Sequence, residues 1–140
     1  MARGPKVGVT GTSRGSEAAL QVATLTPKVG GVVVYVPSGI RWMGIEGRPP
    51  WTYQNKPLPY VQWANDFDET GAIAKVDRFN QILDNSTLWA NAEIAVEEAS
   101  CPILLISGKD DQLWPSERMA NLIVTRLKKH RVIMTKFGTS

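Results

Sequence analysis

The stretch Lys6-Val7-Gly8-Val9-Thr10-Gly11-Thr12-Ser13-Arg14-Gly15-Ser16-Glu17-Ala18-Ala19-Leu20 decides the fold. It reads as a short buried strand, a sharp turn and the opening of a helix, with the turn spelled Gly11-x-Ser13-x-Gly15. A nucleophile carried on a strained strand-to-helix turn needs neighbours two residues before and two after it that are nearly free of side chain, so that strand and helix can close up. Gly11 and Gly15 meet that need, and a β-carbon is expected to find no room at either. The turn lifts the Ser13 hydroxyl to the start of a helix, where the Arg14 amide can donate to a developing oxyanion. Ser13 is the candidate nucleophile.

The same residues also look like the phosphate-binding turn of short-chain dehydrogenases. That reading needs a third glycine after Gly15, whereas the chain has Glu17, the wrong charge for a pyrophosphate approaching a helix N-terminus. The Tyr-x-x-x-Lys pair of that family is missing too: four residues after Tyr35, Tyr53 and Tyr60 stand Gly39, Pro57 and Ala64. No cofactor and no metal are expected.

Working outward, 140 residues bound one domain, expected over residues 1–140. A composition of 43% hydrophobic and 21% charged residues is globular. The net charge of +3 is mild, and the one dense basic cluster, Lys128-Lys129-His130-Arg131, falls where a helix should end, where cations complement its dipole. Nucleic-acid binding is not expected. Nor is a membrane partner, since no stretch has the length or apolarity of a span or a signal peptide, and a cytoplasmic location follows. The single cysteine, Cys101, beside Pro102 at the mouth of an apolar run, reads as packing rather than as a nucleophile.

After the elbow, apolar residues at 18, 19, 20, 22, 23 and 25 predict a helix that Pro27 stops. Gly30-Gly31 reads as a turn, and Val32 to Val36 as a β-branched strand buried on both faces of a parallel sheet. From 37 to 75 periodicity fails, and prolines and glycines alternate with Trp42, Trp51, Tyr53, Tyr60, Trp63 and Phe67. This aromatic-rich insertion is either a lid over the strand ends or a plug of the core. Val76, Phe79, Ile82, Leu83 and Trp89 fit a helix face that Asn85-Ser86-Thr87 weakens. Residues 101 to 108 predict a third strand, Met119 to Leu127 a helix with Ser116 available as its cap, and residues 131 to 137 a last strand. The expected architecture is α/β, a parallel sheet of about four strands with flanking helices.

Between the third strand and its helix lies Gly108-Lys109-Asp110-Asp111-Gln112-Leu113-Trp114-Pro115, an acid loop over 108–115. A carboxylate there can hold an imidazole in the right tautomer and stabilise the imidazolium; Asp111 stands at the required spacing and Asp110 is the alternate. By itself such a pair is also a common loop or cap feature. With Gly11 to Leu20, Tyr35-Val36-Pro37-Ser38-Gly39, Trp51-Thr52-Tyr53, Lys56-Pro57-Leu58-Pro59 and Pro102 to Ser116, the chain resembles the C-terminal α/β-hydrolase domain of acyl-CoA thioesterases and bile acid-CoA:amino acid N-acyltransferase, of the bacterial type. The resemblance implies a partial α/β-hydrolase fold acting on an acyl-CoA or another thioester or ester, with Ser13 and Asp111 at the first two triad positions.

Two departures from that pattern shape the expectations. The elbow strand begins near residue 6, so the strands and the second oxyanion donor that precede it in the family are absent. The family's Gly-His after the last strand is replaced by Phe137-Gly138-Thr139-Ser140, and the one histidine, His130, precedes that strand. The expected protein is therefore a truncated, catalytically incomplete hydrolase domain, or else a non-catalytic binding module on the same scaffold. An unguarded elbow strand at the sheet edge predicts a homodimer.

Overall fold

The computed structural model describes residues 4–62, 75–130 and 135–139. The described chain divides into two compact units, the first of residues 1–39, 94–110 and 116–140, the second of 40–93 and 111–115.

In the first unit, β1 (Val7–Thr12), β2 (Val29–Tyr35), β5 (Ile103–Gly108) and β6 (Thr135–Thr139) form a sheet in the order β1-β2-β5-β6, every neighbouring pair parallel. Helices α1 (Arg14–Leu25) and α3 (Ser116–Lys129) belong to the same unit. The core is built from alternate strand positions, Val32, Val34, Ile103 and Leu105, closed by Ala19, Leu20 and Ala23 of α1 and by Ile123 and Leu127 of α3. Burying each larger aliphatic side chain contributes about 1.5–3 kcal/mol. The fold class expected from the sequence, α/β with a parallel sheet, is the one observed.

Several boundaries differ from the expectation for physical reasons. β1 is an outer strand of the described sheet, exposed along most of its length, with only Val9 and Gly11 half-buried. The Gly30-Gly31 pair lies within β2 rather than in a turn. A β-carbon at Gly30 would meet Cβ of Lys6 at 2.8 Å, and the β1–β2 register shifts between Val7 and Gly8. Gly30 thus serves close approach of the chain beside β2, whereas a β-carbon at Gly31 would meet nothing within 4 Å. β2 is not buried on both faces: Val32 and Val34 are buried, but Val33 between them is half-buried and Tyr35 at its end is exposed. Ser116 is the first residue of α3 rather than its cap, and its hydroxyl donates to Gly108 O at 3.4 Å. Residues 131 to 134 of the expected last strand lie outside the described residues.

The second unit carries its own core. Trp42, 1% exposed, meets Phe79 edge to face at 4.9 Å between ring centroids, and Phe79 meets Trp114 likewise at 5.8 Å. Phe79 lies on α2 (Lys75–Leu83), which stops where the Asn85 side chain accepts hydrogen bonds from Thr87 N and Oγ1. Local bonding of this kind competes with helix continuation, so the predicted helix is cut short before Trp89. Buried Arg41 donates from Nε to Pro59 O at 2.6 Å and ties two loop segments together. A two-stranded hairpin, β3 (Thr52–Tyr53) and β4 (Lys56–Pro57), turns through Gln54 and Asn55, both at positive φ. Its turn lacks the Asn-Gly signature that makes such hairpins visible in a sequence. Trp42 of the insertion thus packs against α2 within the second unit; Trp63 and Phe67 lie outside the described residues.

Candidate active site at the elbow

Ser13 occupies the junction of β1 and α1 with φ 53° and ψ −120°, outside the regions ordinary L-residues favour. A serine at a helix N-cap normally turns its hydroxyl onto the amides of the first turn. Ser13 makes no such capping bond. Its backbone is held instead: Ser13 N donates to Tyr35 O at 3.0 Å, and Ser13 O accepts from Ser16 N at 2.9 Å. The strain, about 1–3 kcal/mol for a residue in such a conformation, is maintained by surrounding bonds.

The glycines flanking Ser13 play unequal parts. A β-carbon at Gly11 would stand 2.2 Å from Gly15 O, 2.5 Å from Gly15 C and 2.9 Å from Ser16 N, all backbone atoms of the first turn of α1. At Gly15 a β-carbon would meet nothing within 4 Å. The expectation that neither position has room is therefore corrected at Gly15: the close approach is of Gly15's own carbonyl to the Cα of Gly11, so it is Gly11 that must lack a side chain.

Arg14 opens α1 directly after Ser13. Its Nε lies 2.9 Å from Oε1 of Glu17, in an ion-pair rather than an aligned hydrogen-bond geometry. Glu17 is fully buried while 41% of the Arg14 side chain remains exposed. A carboxylate out of water needs a cation beside it, so the residue whose charge argues against a dinucleotide in the sequence is part of the elbow's own structure. Ser16 and Ser38 are likewise fully buried against this turn. Sequence reasoning missed both, because their connection spans 22 residues.

Asp111 falls in the second unit, at the start of the segment 111–115. Its Oδ1 accepts from Leu113 N at 3.0 Å and Trp114 N at 3.2 Å, a local turn that commits one carboxylate oxygen to the backbone. Asp110 is exposed and belongs to the first unit. His130 follows the last turn of α3, with Nε2 3.6 Å from Oε1 of Glu97. Glu97 also receives Nε and Nη2 of Arg126 at 2.5 and 2.7 Å, which holds its carboxyl below the ordinary value. His130 precedes β6 in the chain and Ser13 follows β1, and where all strands are parallel those are opposite strand ends. Cys101 is half-buried against the core, and burial pushes its thiol up, with Lys6 acting weakly in the opposite direction. It reads as packing.

Residues 1–136 match the family described as BAAT / Acyl-CoA thioester hydrolase C terminal. The chain belongs to that family. Among its relatives, human acyl-coenzyme A thioesterase 1 is 30% identical over 134 residues, covering 91% of this chain and 30% of the thioesterase. This member of the family thus spans about a third of that relative's length. Among solved structures, a puromycin-hydrolysing peptidase of Mycobacterium tuberculosis superposes with a TM-score of 0.55 at 15% identity, over 94% of this chain and 17% of the peptidase. That likeness is one of fold. Among the described residues, no helix is long and apolar enough to cross a membrane.

Proposed function

We propose that the chain is an acyl-CoA thioester hydrolase or acyltransferase domain that acts through Ser13, and that it is catalytically incomplete as it stands. The observation that carries this reading is the backbone of Ser13, φ 53° and ψ −120° with no capping bond, at a strand-to-helix junction. In the proposed reaction the Ser13 hydroxyl attacks the thioester carbonyl carbon and gives its proton to a base. The Arg14 amide donates to the oxyanion. As the tetrahedral intermediate collapses, the C–S bond breaks and the thiolate leaves with a proton, after which water or an amine takes the acyl group from Ser13. Asp111 is the proposed acid that orients the imidazole.

The base is what is lacking. The chain's one histidine precedes β6 and lies beside Glu97, whereas Ser13 follows β1. Loss of one member of such a triad costs several orders of magnitude in turnover. A slow, Ser13-dependent reaction with a fluorophosphonate is therefore expected, without a stoichiometric burst of thiol from an acyl-CoA. A full burst that Ser13→Ala abolishes would overturn the incompleteness, and labelling that survives Ser13→Ala would overturn the nucleophile assignment.

We further propose that the chain works in the cytoplasm as a twofold homodimer. Support comes from β1 as an outer strand of the described sheet, with Val7 57% exposed, and from Val22 and Leu25 exposed on α1 of the same unit. Light scattering at micromolar concentration that returns a 15.4 kDa particle defeats the dimer. A dimer that persists in Val9→Lys defeats only pairing through β1.

A further inference from the structure

Two buried serines outside the Gly-x-Ser-x-Gly motif are bonded in series to Ser13. The Ser16 hydroxyl donates to Ser13 O at 2.5 Å, and Ser38 N donates to the Ser16 hydroxyl at 3.0 Å. Both side chains are 0% exposed. Ser38 lies just beyond β2, in a segment with a strained residue of its own: Val36 has φ 42°, a conformation a β-branched residue rarely adopts, and its amide donates to Ile106 O at 2.7 Å. The chain segments leaving the carboxy-terminal ends of β1 and β2 each hold one strained residue, and the Ser16 hydroxyl bridges them in addition to the bond from Ser13 N to Tyr35 O at 3.0 Å.

Strained backbone persists only where its surroundings over-determine it. The Ser16 amide alone fixes the Ser13 carbonyl relative to α1; the hydroxyl adds a tie from that carbonyl to the loop after β2. One hydroxyl can donate and accept at once, so a serine can bridge the two segments where an alanine cannot. We propose that Ser16 is a positioning residue for Ser13: with Ser38 N–H it forms a latch that holds the elbow in its strained conformation and so keeps the Ser13 hydroxyl in its attacking position. The proposal rests on the reading of Ser13 as the nucleophile. It does not place Ser16 in contact with substrate.

The test uses the whole chain and two readouts. Amide hydrogen exchange of Ser38, followed by NMR, reports the latch without any chemistry. The fluorophosphonate labelling rate of Ser13 reports the position of its hydroxyl. In Ser16→Ala, exchange at Ser38 is expected to rise at least about tenfold, and labelling to fall about 10- to 100-fold, the order of loss that a misplacement near 1 Å causes. Ser16→Thr, which keeps the hydroxyl, should recover much of both. Val96→Ala, a buried core change outside the elbow, should lower stability without slowing labelling. If Ser16→Ala does not fold, Ser16→Cys, of similar size with a weaker donor, is read in its place. Unchanged Ser38 exchange overturns the latch whatever the labelling does. Faster exchange with unchanged labelling overturns the positioning role. A parent chain that does not label at Ser13 overturns the nucleophile reading instead, and the Ser38 comparison still decides the latch.

Discussion

Gly11→Ala should destabilise the chain far more than Gly15→Ala, although the two glycines flank Ser13 symmetrically in sequence. The new methyl group at Gly11 would stand 2.2 Å from Gly15 O and 2.5 Å from Gly15 C. Ordinary contact begins near 3.4 Å, so strand and helix must separate by roughly 1 Å, and the atoms in the way are backbone with no rotamer to escape into. Overpacking a well-fitted site costs about 1–3 kcal/mol, occasionally more, and breaking the bonds that hold Ser13 adds to it, so we expect about 3 kcal/mol. For a chain of this length that corresponds to a fall of about 10 °C in Tm, at about 3 °C per kcal/mol. Gly15→Ala meets nothing within 4 Å and lies within α1, where replacing glycine by alanine is worth up to about 1 kcal/mol of stabilisation. Thermal unfolding followed by circular dichroism, with urea titration as a check, separates the two. A Gly11→Ala protein that melts within 2 °C of the parent on that same scale, or a Gly15→Ala protein that melts lower than Gly11→Ala, would refute the close approach of β1 and α1 as the reason for Gly11.

Acid should destabilise the chain partly through Glu97, whose carboxyl is held below its ordinary value near 4.5 chiefly by the Arg126 side chain. A depressed folded-state value means the contribution is present above about pH 4.5 and fades as pH falls through the lower folded value; Glu97→Gln should flatten urea-derived stability against pH in that window, by about 1 kcal/mol for a partly exposed pair. Val36→Gly should be neutral or stabilising by up to about 1 kcal/mol, because glycine adopts the positive φ without strain; a clear loss in urea unfolding would show that the Val36 side chain outweighs its backbone cost. Gly39→Ala should destabilise by about 1–3 kcal/mol, since its β-carbon would lie 2.7 Å from Cγ1 of Ile123, and it should cost less in an Ile123→Ala background, where the clashing atoms are gone.

Much of the architecture was legible because it depends on local rules. The β-branched run at Val32 to Val34, the apolar spacing of α1 and α3 and the Gly-x-Ser-x-Gly turn each carry their own period or steric demand, and the described elements follow them. The failures occur where a distant segment decides. Gly30-Gly31 reads as a turn until Lys6 is seen lying against Gly30, and the hairpin at 52–57 has no local signature because Gln54 and Asn55 are unremarkable in a sequence. The same holds at the elbow. That a serine flanked by glycines follows the first strand is a property of the sequence alone. That Gly11 rather than Gly15 must lack a side chain, that Ser13 forgoes its capping bond, and that Ser16 and Ser38 hold it there, follow only from the packing of α1 and the loop after β2 around the end of β1, because hydrogen bonds and steric contacts depend on distances that a linear order of residues does not contain.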